Sequence, residues 1–492
     1  MRLAELMEGA DSTVQSQATP AEIEIRGLTA DSRAVEPGWL FAALPGSRAD
    51  GSSFISDALA RGAAAILVPA EAPVPALARP VALIRDDNPR RRLALIAARF
   101  YRHQPRFIAA VTGTNGKTST ADFARQLWSR LGHKAASLGT LGVVLPDRTI
   151  TGALTTPDPV ALHRQLSELA DAGIGHLAME ASSHGLDQFR LDGVRVSAAV
   201  FTNLTRDHLD YHRTMEAYLA AKRRLFDTLL IEGGTAVLNA DTPEFAALAE
   251  LCRGRGRRVL GFGRAGQDLT LGRATPTPDG QVLQLRLLGQ RTEIPFPVAG
   301  SFQAMNLLAA LGLVIASGED AQAAAQAAAT LSGVRGRIEL VARHPNGAAI
   351  YVDYAHTPDA LETVLTALRP HTQGQLVVVF GAGGDRDRGK RPQMGAVCTR
   401  LADRAIVTDD NPRSEEPAAI RAEILAAAPG ATEIGDRAAA IQAGIAGLAP
   451  GDVLVIAGKG HEAGQIIKGR TLPFDDAEVA RAAVAALPGG RG

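Results

Sequence analysis

The feature that most constrains the fold is an apolar run, a glycine-rich loop and a helical pattern in direct succession, FIAAVTGTNGKTSTADFARQLWSRLG, residues 107–132. Gly113 and Gly116 let the backbone curl so that its N–H groups face anionic oxygens at the positive end of the helix. Lys117 is placed to reach the β- and γ-phosphates of a nucleotide, and Thr118 is placed to hold Mg²⁺. The segment therefore predicts a polyphosphate-binding loop in a parallel α/β sheet. It departs from the usual GxxxxGK pattern at Val111, where a glycine is expected.

Strand and helix patterns alternate along most of the chain, which predicts an α/β protein with helices on both faces of parallel sheets. A length of 492 residues exceeds what one hydrophobic core usually serves. We expect three domains: a small α/β domain over 1–106, a central phosphate-loop domain over 107–332, and a Rossmann-like α/β domain over 333–492. Within the central domain, an Ala-rich helix is expected to begin at Asn306.

Composition narrows the class of function. Lys plus Arg and Asp plus Glu both number 52, so there is no global basic field of the kind that binds nucleic acid. Cys252 and Cys398 lie far apart without metal-ligand spacing, and we expect both to be buried small hydrophobes. No window resembles a membrane span or a cleaved signal. We expect a cytoplasmic monomer that acts on small molecules.

Polar clusters follow several of the predicted strands. In the central region, Glu180 ends a strand, where a carboxylate could contact a metal or position a water; the alternative is a helix-capping role for the SSHG turn that follows. Asp207, His208, Asp210 and His212 crowd into six residues after the next strand. Zinc or magnesium could suit this cluster, and the nearby phosphate loop favours magnesium, which prefers few protein oxygens plus substrate phosphate.

Four polar loops follow strands in the last third of the chain. They contain Asp353 with His356, residues 383–390, residues 409–413 and residues 459–462. Because ligands of open α/β sheets bind beyond the carboxyl ends of the strands, we expect these loops to converge on one crevice.

Six segments occur in one order that resembles the Mur ligases of peptidoglycan synthesis: TGTNGKTST, EASSHGLDQFR, NLTRDHLDYH, AYLAAKRRLF, GSFQAMNLLAA and YVDYAHTPDAL. The resemblance covers nearly the whole chain, and the family tolerates a non-glycine residue where Val111 stands. The N-terminal segments TADSRAVEPGWLFAALPG and ADGSSFISDALARGAAAILV are similar to the uridine-nucleotide-binding domain of the members that add the third amino acid. The resemblance implies an ATP- and Mg²⁺-dependent ligase in which a substrate carboxylate becomes an acyl phosphate that an amine attacks.

The family's site residues can be carried over position by position. By resemblance, the catalytic group comprises Lys117, Glu180, His208 and Lys222, the last as a carbamate (N6-carboxylysine). Thr118, Glu180 and His208 would serve the metal. The ATP contacts would be Gly113, Thr114, Asn115, Gly116, Lys117, Thr118, Ser119, Asn306, Arg337, Asp353 and His356. The contacts to the UDP-muramoyl-peptide would be Ser32, Arg33, Thr155, Thr156, Ser183, Gln188 and Arg190. Without the family, Lys222 would be an ordinary helix-surface lysine.

The segment DNPR, residues 410–413, is the version found in family members that use meso-diaminopimelate, whereas the lysine-adding members lack its arginine. Diaminopimelate differs from lysine by a second carboxylate, which an arginine can grip through two parallel hydrogen bonds. The implied amino-acid contacts are Arg386, Asp410, Asn411, Pro412, Arg413, Gly458 and Glu462. The segment could instead be a simple turn before a helix.

Three other functions stay open at this point. A folylpolyglutamate-type ligase shares the later domains but not the N-terminal unit. A switch or motor ATPase shares only the phosphate loop. A non-catalytic sugar-nucleotide binding protein would need a vestigial loop, yet Gly116, Lys117 and Thr118 are all present.

Overall fold

A computed structural model describes residues 1–16, 19–46, 50–74, 81–152 and 154–488 of the chain. The chain packs into two compact units. The first comprises Met1–Gly261 with Gly312–Gly318, and the second comprises Phe262–Leu311 with Glu319–Gly492. The three domain boundaries expected from the sequence remain a prediction.

The N-terminal part of the first unit is a small sheet with helices on it. Its elements are α1 (Leu3–Met7), β1 (Thr13–Gln15), β2 (Gly27–Thr29), β3 (Trp39–Ala42), α2 (Ile55–Ala60), β4 (Ala65–Pro69), β5 (Ala82–Asp86) and α3 (Pro89–Tyr101), with 3₁₀ turns at Ser32–Ala34 and Gly51–Phe54. The strand order is β1-β5-β4-β3-β2, and only the β1–β5 pair is antiparallel among the described strands. Two apolar clusters cover the two faces of this sheet: Leu40 and Leu67 belong to one, and Phe41 and Ile66 to the other.

The rest of the first unit is built around the phosphate loop. Its elements are β6 (Phe107–Thr112), α4 (Lys117–Arg130), β7 (Ala135–Gly139), β8 (Gly142–Val144), β9 (Thr149–Ile150), α5 (Pro159–Asp171), β10 (His176–Glu180), α6 (Ser183–Asp187), β11 (Val196–Phe201), α7 (Leu209–His212), α8 (Met215–Arg224), a π-helical turn (Leu225–Leu229), β12 (Leu230–Asn239) and α9 (Phe245–Gly254). The strand order within this unit is β12-β11-β6-β10-β7-β8-β9, parallel from β12 to β7. The predicted parallel sheet is therefore confirmed, and the ends of β6, β10 and β11 lie side by side.

The second unit begins with strands that the sequence analysis did not predict. Strand β13 (Arg258–Gly263) is followed by β14 (Leu269–Thr277), β15 (Gly280–Leu287) and β16 (Gln290–Phe296), and β14, β15 and β16 pair antiparallel. A two-residue turn joins β15 to β16, in which Leu288 and Gly289 both have positive φ, as the right-handed twist of a hairpin favours. The alternation of apolar and polar residues in LQLRL, residues 283–287, was the sequence signal for this hairpin.

The remaining elements are two helices, the first of which enters the first unit at Gly312, followed by the predicted Rossmann-like series. They are α10 (Ser301–Ala316), α11 (Ala321–Ala328), β17 (Glu339–Arg343), β18 (Ala349–Asp353), α12 (Pro358–Leu368), a 3₁₀ turn (Arg369–His371), β19 (Leu376–Phe380), α13 (Lys390–Leu401), β20 (Arg404–Val407), α14 (Pro417–Leu425), β21 (Thr432–Glu433), α15 (Arg437–Ala446), β22 (Val453–Ala457), β23 (Gly464–Ile467), β24 (Arg470–Pro473) and α16 (Asp476–Ala485). The expected start of the Ala-rich helix at Asn306 is wrong, because α10 begins at Ser301.

The sheet of this series has the order β17-β18-β22-β19-β20-β21 and is parallel except for β17. Helices cover both faces: Val378 and Phe380 of β19 pack in one apolar cluster, and Val377 and Val379 in the other. Parallel strands buried on both faces read as continuous apolar runs, which is why LVVVF was recognisable. The carboxyl ends of β18, β22, β19 and β20 therefore meet at one edge of this sheet.

Candidate active site

The phosphate loop has a fixed backbone shape. Gly113 has φ +146° and Gly116 has φ +86°, and a Cβ added at Gly113 would lie 1.9 Å from the hydroxyl of Thr202. That hydroxyl donates to the carbonyl of Asn115 at 2.6 Å, while the backbone N–H of Asn115 donates to the side chain of Asn203 at 2.9 Å. Only glycine fits at position 113, and the residues after β11 hold the loop in its curled form.

Two lysines converge on this loop. The ammonium groups of Lys117 and Lys222 donate to the carbonyl of Gly113 at 3.0 and 2.8 Å. Lys222 is only 1% exposed, so the structure contradicts its reading as a surface lysine: the face of α8 that carries it is covered. Burial first, and the nearby charge of Lys117 second, lower the pKa of Lys222 to about 6. The amino groups of both lysines therefore lie at the phosphate loop, on the carbonyl of Gly113.

Glu180 lies at the end of β10 and is 2% exposed. Its carboxylate accepts hydrogen bonds from the backbone N–H and the hydroxyl of Thr140 at 2.7 and 3.2 Å. Glu180 and Thr118 line the same small pocket. The helix-capping role considered for the SSHG turn is also confirmed, because the hydroxyl of Ser182 caps α6 by accepting from the N–H of Gly185. Among the described residues Glu180 forms no ion pair, and a buried carboxylate of this kind is suited to a cation.

His208 belongs to a cluster of rings. Its imidazole lies 5.0 Å from the ring of His184 and 6.1 Å from the ring of Tyr218, centroid to centroid, and its Nε2 lies 3.4 Å from a carboxylate oxygen of Asp207. Within the described ranges, no group of three or more His, Cys, Asp or Glu side chains is arranged to hold a metal ion. Tyr218 connects this cluster to the phosphate loop, since its ring lies 4.3 Å from the ammonium of Lys222 and its hydroxyl 3.3 Å from that of Thr114.

The residues assigned to the muramoyl-peptide form one hydrogen-bonded network with Glu180. The hydroxyl of Thr156 donates to the Glu180 carbonyl at 2.9 Å, and the hydroxyls of Thr155 and Thr140 lie 3.1 Å apart. Arg190 donates to the carbonyl of Thr156 and to the side chain of Gln188, both at 2.7 Å. Ser183 is buried at the start of α6. The structure therefore joins four of the seven predicted residues to Glu180, and Ser183 follows Glu180 by three positions in the chain.

The other two predicted residues lie in the small N-terminal sheet. Ser32 is buried in a 3₁₀ turn. The exposed side chain of Arg33 pairs with Asp31 in the same turn, with nitrogen–oxygen distances of 2.9 and 2.7 Å. The side chain of Arg33 is therefore paired within its own turn.

In the second unit, the four residues assigned to ATP are neighbours. Gln303, which the sequence analysis did not name, connects two of them: its amide N–H donates to the Arg337 carbonyl at 3.0 Å, and it accepts from Asn306 at 2.9 Å. The carboxylate of Asp353 accepts from the backbone N–H of Ile338 at 2.7 Å. Burial raises the pKa of Asp353 to about 6, opposed by the charge of Arg337 and by backbone hydrogen bonds.

The guanidinium of Arg337 and the imidazole of His356 both lie against the ring of Tyr354, at 4.7 and 4.6 Å from its centroid. Lys390 joins this strand end to the next polar loop, since its ammonium donates to the His356 carbonyl at 2.8 Å.

The loops after β19, β20 and β22 meet as predicted, and we call residues 383–386, 410–413 and 458–462 the amino-acid pocket. The amide of Asn411 donates to Glu462 at 3.0 Å and accepts from the buried ammonium of Lys459 at 2.9 Å. Arg413 is half-buried, has φ +54°, and donates to the Gly384 carbonyl at 2.8 Å. Among the described residues it forms no ion pair, so it presents a cation inside a shaped pocket.

Four further members of the amino-acid pocket complete the predicted set. Asp410 is buried and lies so close to Gly458 that a Cβ there would be 2.5 Å from its carboxylate. Pro412 is buried, and its carbonyl would lie 1.9 Å from a Cβ added at Gly384. Arg386 is exposed at the rim. The sequence analysis missed the role of Lys459, although it noted the GKGHE segment that contains it.

The comparisons with known proteins agree with these observations. Family profiles match residues 24–101 (Mur ligase family, catalytic domain), 111–314 (Mur ligase middle domain) and 336–460 (Mur ligase, glutamate ligase domain). The chain belongs to the Mur ligase family.

Two curated relatives are both named UDP-N-acetylmuramoyl-L-alanyl-D-glutamate--2,6-diaminopimelate ligase. The protein from Caulobacter vibrioides is 58% identical over 92% of this chain and 94% of its own length, and the one from Bradyrhizobium diazoefficiens is 54% identical over 99% of each chain. A solved structure of the same name is 33% identical, covers 99% of both chains and has a TM-score of 0.74. The expected family and fold class are thus confirmed.

Two smaller expectations can also be checked. Cys252 and Cys398 are free and buried, as predicted. None of the helices in the described ranges has the length and hydropathy that a membrane span needs.

Proposed function

We propose that this chain joins the amino group of meso-2,6-diaminopimelate to the D-glutamate carboxylate of UDP-N-acetylmuramoyl-L-alanyl-D-glutamate, with ATP as the phosphoryl donor. The observation that carries the choice of amino acid is Arg413, an unpaired cation among the described residues, held in a shaped pocket opposite Glu462 and Asn411. Diaminopimelate brings one more carboxylate than lysine, and a guanidinium can bind it through two hydrogen bonds. The names of the relatives support the same substrate pair.

In the first step, the D-glutamate carboxylate attacks the γ-phosphorus of ATP, the bond to the β,γ-bridging oxygen breaks, and ADP leaves. The main task of the protein in such a transfer is to position and neutralise highly charged reactants. We assign this task to the curled backbone at Gly113–Thr118 and to Lys117. The ammonium of Lys117 donates to the carbonyl of Gly113 inside this curl, where it would meet an arriving polyphosphate.

Magnesium fits the residues on the first unit. The buried carboxylate of Glu180 shares a pocket with Thr118 and lacks an ionic partner in the described part of the chain. We propose that Thr118 holds one ion and that Glu180 and His208 hold a second. When bound, the ions neutralise charge on the phosphates and on the substrate carboxylate.

In the second step, the amine of diaminopimelate attacks the acyl carbon, phosphate leaves, and the amine loses a proton. We propose that Arg413, Asn411 and Arg386 orient the distal carboxylate and that Glu462 faces the distal ammonium. Lys459 supports this arrangement because it donates to Asn411, which in turn donates to Glu462.

We further propose that Lys222 functions as a carbamate. Carbon dioxide reacts only with a neutral amine, and the pKa of about 6 leaves Lys222 uncharged at neutral pH. Its nitrogen would form a bond to the carbon of CO₂ and release a proton, so that an anion replaces a potential cation beside Lys117.

Acceptor-dependent phosphate release tests the proposed reaction against its rivals. Phosphate should be released only when ATP, Mg²⁺, UDP-muramoyl-dipeptide and diaminopimelate are all present. A switch ATPase would release phosphate without the amine. A folate-type ligase would require a tetrahydrofolate and glutamate instead, a reading that the match over residues 24–101 disfavours.

A further inference from the structure

The second residue of helix α13 is an arginine whose side chain is fully buried. Arg391 is 0% exposed, and its guanidinium forms a fork to Glu415, with Nη2 to Oε1 at 2.7 Å and Nη1 to Oε2 at 3.0 Å. Nη1 also donates to Glu423 at 3.0 Å. Because burial of the arginine offsets much of the attraction to the partly exposed Glu415, such a pair is better suited to fixing geometry than to adding stability.

Glu415 connects this arginine to two loops of the amino-acid pocket. Its Oε1 also accepts the backbone N–H of Asp385 at 2.6 Å. The carboxylate of Asp385 in turn accepts from the backbone N–H and the hydroxyl of Ser414, at 3.1 and 2.6 Å. Arg391 therefore fastens the loop after β19 to the residue that directly follows Arg413.

Arg413 depends on the same loop for its direction. Its Nη1 donates to the carbonyl of Gly384, and the backbone N–H of Gly384 donates to the carbonyl of Asn411 at 2.9 Å. On its other side, the backbone N–H of Arg413 donates to Ile466 of β23 at 2.9 Å. A non-glycine residue at φ +54° persists only where its surroundings hold it. If the loop after β19 moves, the guanidinium of Arg413 loses the acceptor that aims it.

We propose that Arg391, acting through Glu415, is a positioning residue for amino-acid selection that holds Arg413 in the orientation needed to receive the second carboxylate. The inference rests on the proposed function, because it gives Arg413 the role of carboxylate receptor. Arg391 itself is enclosed by its carboxylates and touches no substrate.

The replacement Glu415→Gln tests this role without removing volume. Both oxygens of Glu415 face N–H donors, so the amide group of glutamine meets a donor whichever way it is turned. We expect the KM for diaminopimelate to rise about 10-fold, while the KM values for ATP and UDP-muramoyl-dipeptide stay within about twofold. The ratio of kcat/KM for diaminopimelate over lysine should fall, because lysine lacks the carboxylate that Arg413 receives.

Glu362→Gln is the matched control. Glu362 pairs at 3.0 Å on the surface with Arg400, which lies on α13 like Arg391. It should leave every constant unchanged. If Glu415→Gln does not fold, as judged by circular dichroism, Ser414→Ala removes only the exposed hydroxyl on Asp385 and should raise the KM for diaminopimelate in the same direction by a smaller factor.

An unchanged KM for diaminopimelate in the folded variants, or a parallel loss in all constants with an unchanged selectivity ratio, would overturn the proposal. A parent enzyme that makes no diaminopimelate product would instead overturn the proposed function, so the two failures are distinguishable.

Discussion

The phosphate loop and the amino-acid pocket solve the problem of binding charge in opposite ways. The loop uses its curled backbone and the amino groups of Lys117 and Lys222, which both donate to the carbonyl of Gly113. Within the amino-acid pocket Lys459 pairs with Glu462 at 3.7 Å, Arg391 and Glu415 pair beside it, and Arg413 forms no ion pair among the described residues. The comparison teaches that a site for any polyphosphate can be built from local sequence, whereas selection among similar amino acids needs side chains fixed by distant partners.

The largest effect should come from Lys222, where the loop is most sensitive to charge. We expect Lys222→Ala to lower kcat by about 100- to 1000-fold, because a preorganised charge beside the reacting phosphate is lost. A small carboxylic acid added to the assay should restore part of the rate if the missing group is a carbamate. Arg223→Ala, an exposed cation on the same helix, is the control and should keep its activity. Full activity of Lys222→Ala would remove the carbamate from the mechanism.

Gly113 tests whether the loop depends on backbone shape. Gly113→Ala should raise the KM for ATP by about 100-fold, because the new Cβ collides with Thr202 and the residue is strained at φ +146°. Gly175→Ala adds a Cβ where no atom lies within 4 Å and should change nothing. Steady-state kinetics with varied ATP gives both numbers, and equal KM values for the two variants would contradict the account.

Arg413 tests the pocket. Arg413→Ala should weaken diaminopimelate recognition by roughly 1.5–3 kcal/mol, about 10- to 100-fold in KM, with little change in the KM for ATP. Arg413→Lys should recover only part of the loss, because an ammonium lacks the planar fork. Unchanged kinetic constants for diaminopimelate in Arg413→Ala would contradict the proposal that Arg413 binds the second carboxylate.

The smallest expected effect is the pH dependence that Lys222 gives to the free energy of unfolding. The pKa of Lys222 is 10.5 in its unperturbed form and about 6 in the folded chain. Between these values the unfolded chain binds one more proton than the folded chain at this residue, so its contribution to stability rises with pH and is least favourable below about pH 6. In CO₂-free buffer, Lys222→Met should raise Tm more at pH 6 than at pH 9. A Tm difference independent of pH would contradict the lowered pKa.

The features that the sequence predicts are divided in the same way: those set by local sequence were predicted, and those set by distant partners were not. The strand, loop and helix around Gly113–Thr118 were recognisable because local chemistry dictates them, and continuous apolar runs such as LVVVF identified the strands of the last sheet. The antiparallel strands β14 to β16 were missed because the strand–helix alternation around them dominated the interpretation.

Burial of single polar residues could not be predicted in this way. The sequence around Lys222 is typical of a helix surface, yet the face of α8 that carries Lys222 is covered. Arg391 lies in a basic segment, GDRDRGKRP, whose other charged side chains are exposed or half-buried. The partners of Arg391 are more than twenty residues away in the chain, at Glu415 and Glu423. Only the tertiary structure joins such groups.

The central claim is that this chain selects diaminopimelate through Arg413, and one product assay tests it most directly. The enzyme is incubated with ATP, Mg²⁺ and UDP-N-acetylmuramoyl-L-alanyl-D-glutamate, with either meso-diaminopimelate or L-lysine, and the UDP-muramoyl-tripeptide is quantified by mass. The account predicts the diaminopimelate product and at least about 10-fold less lysine product at equal concentrations. Equal amounts of both products, or lysine product alone, would contradict it.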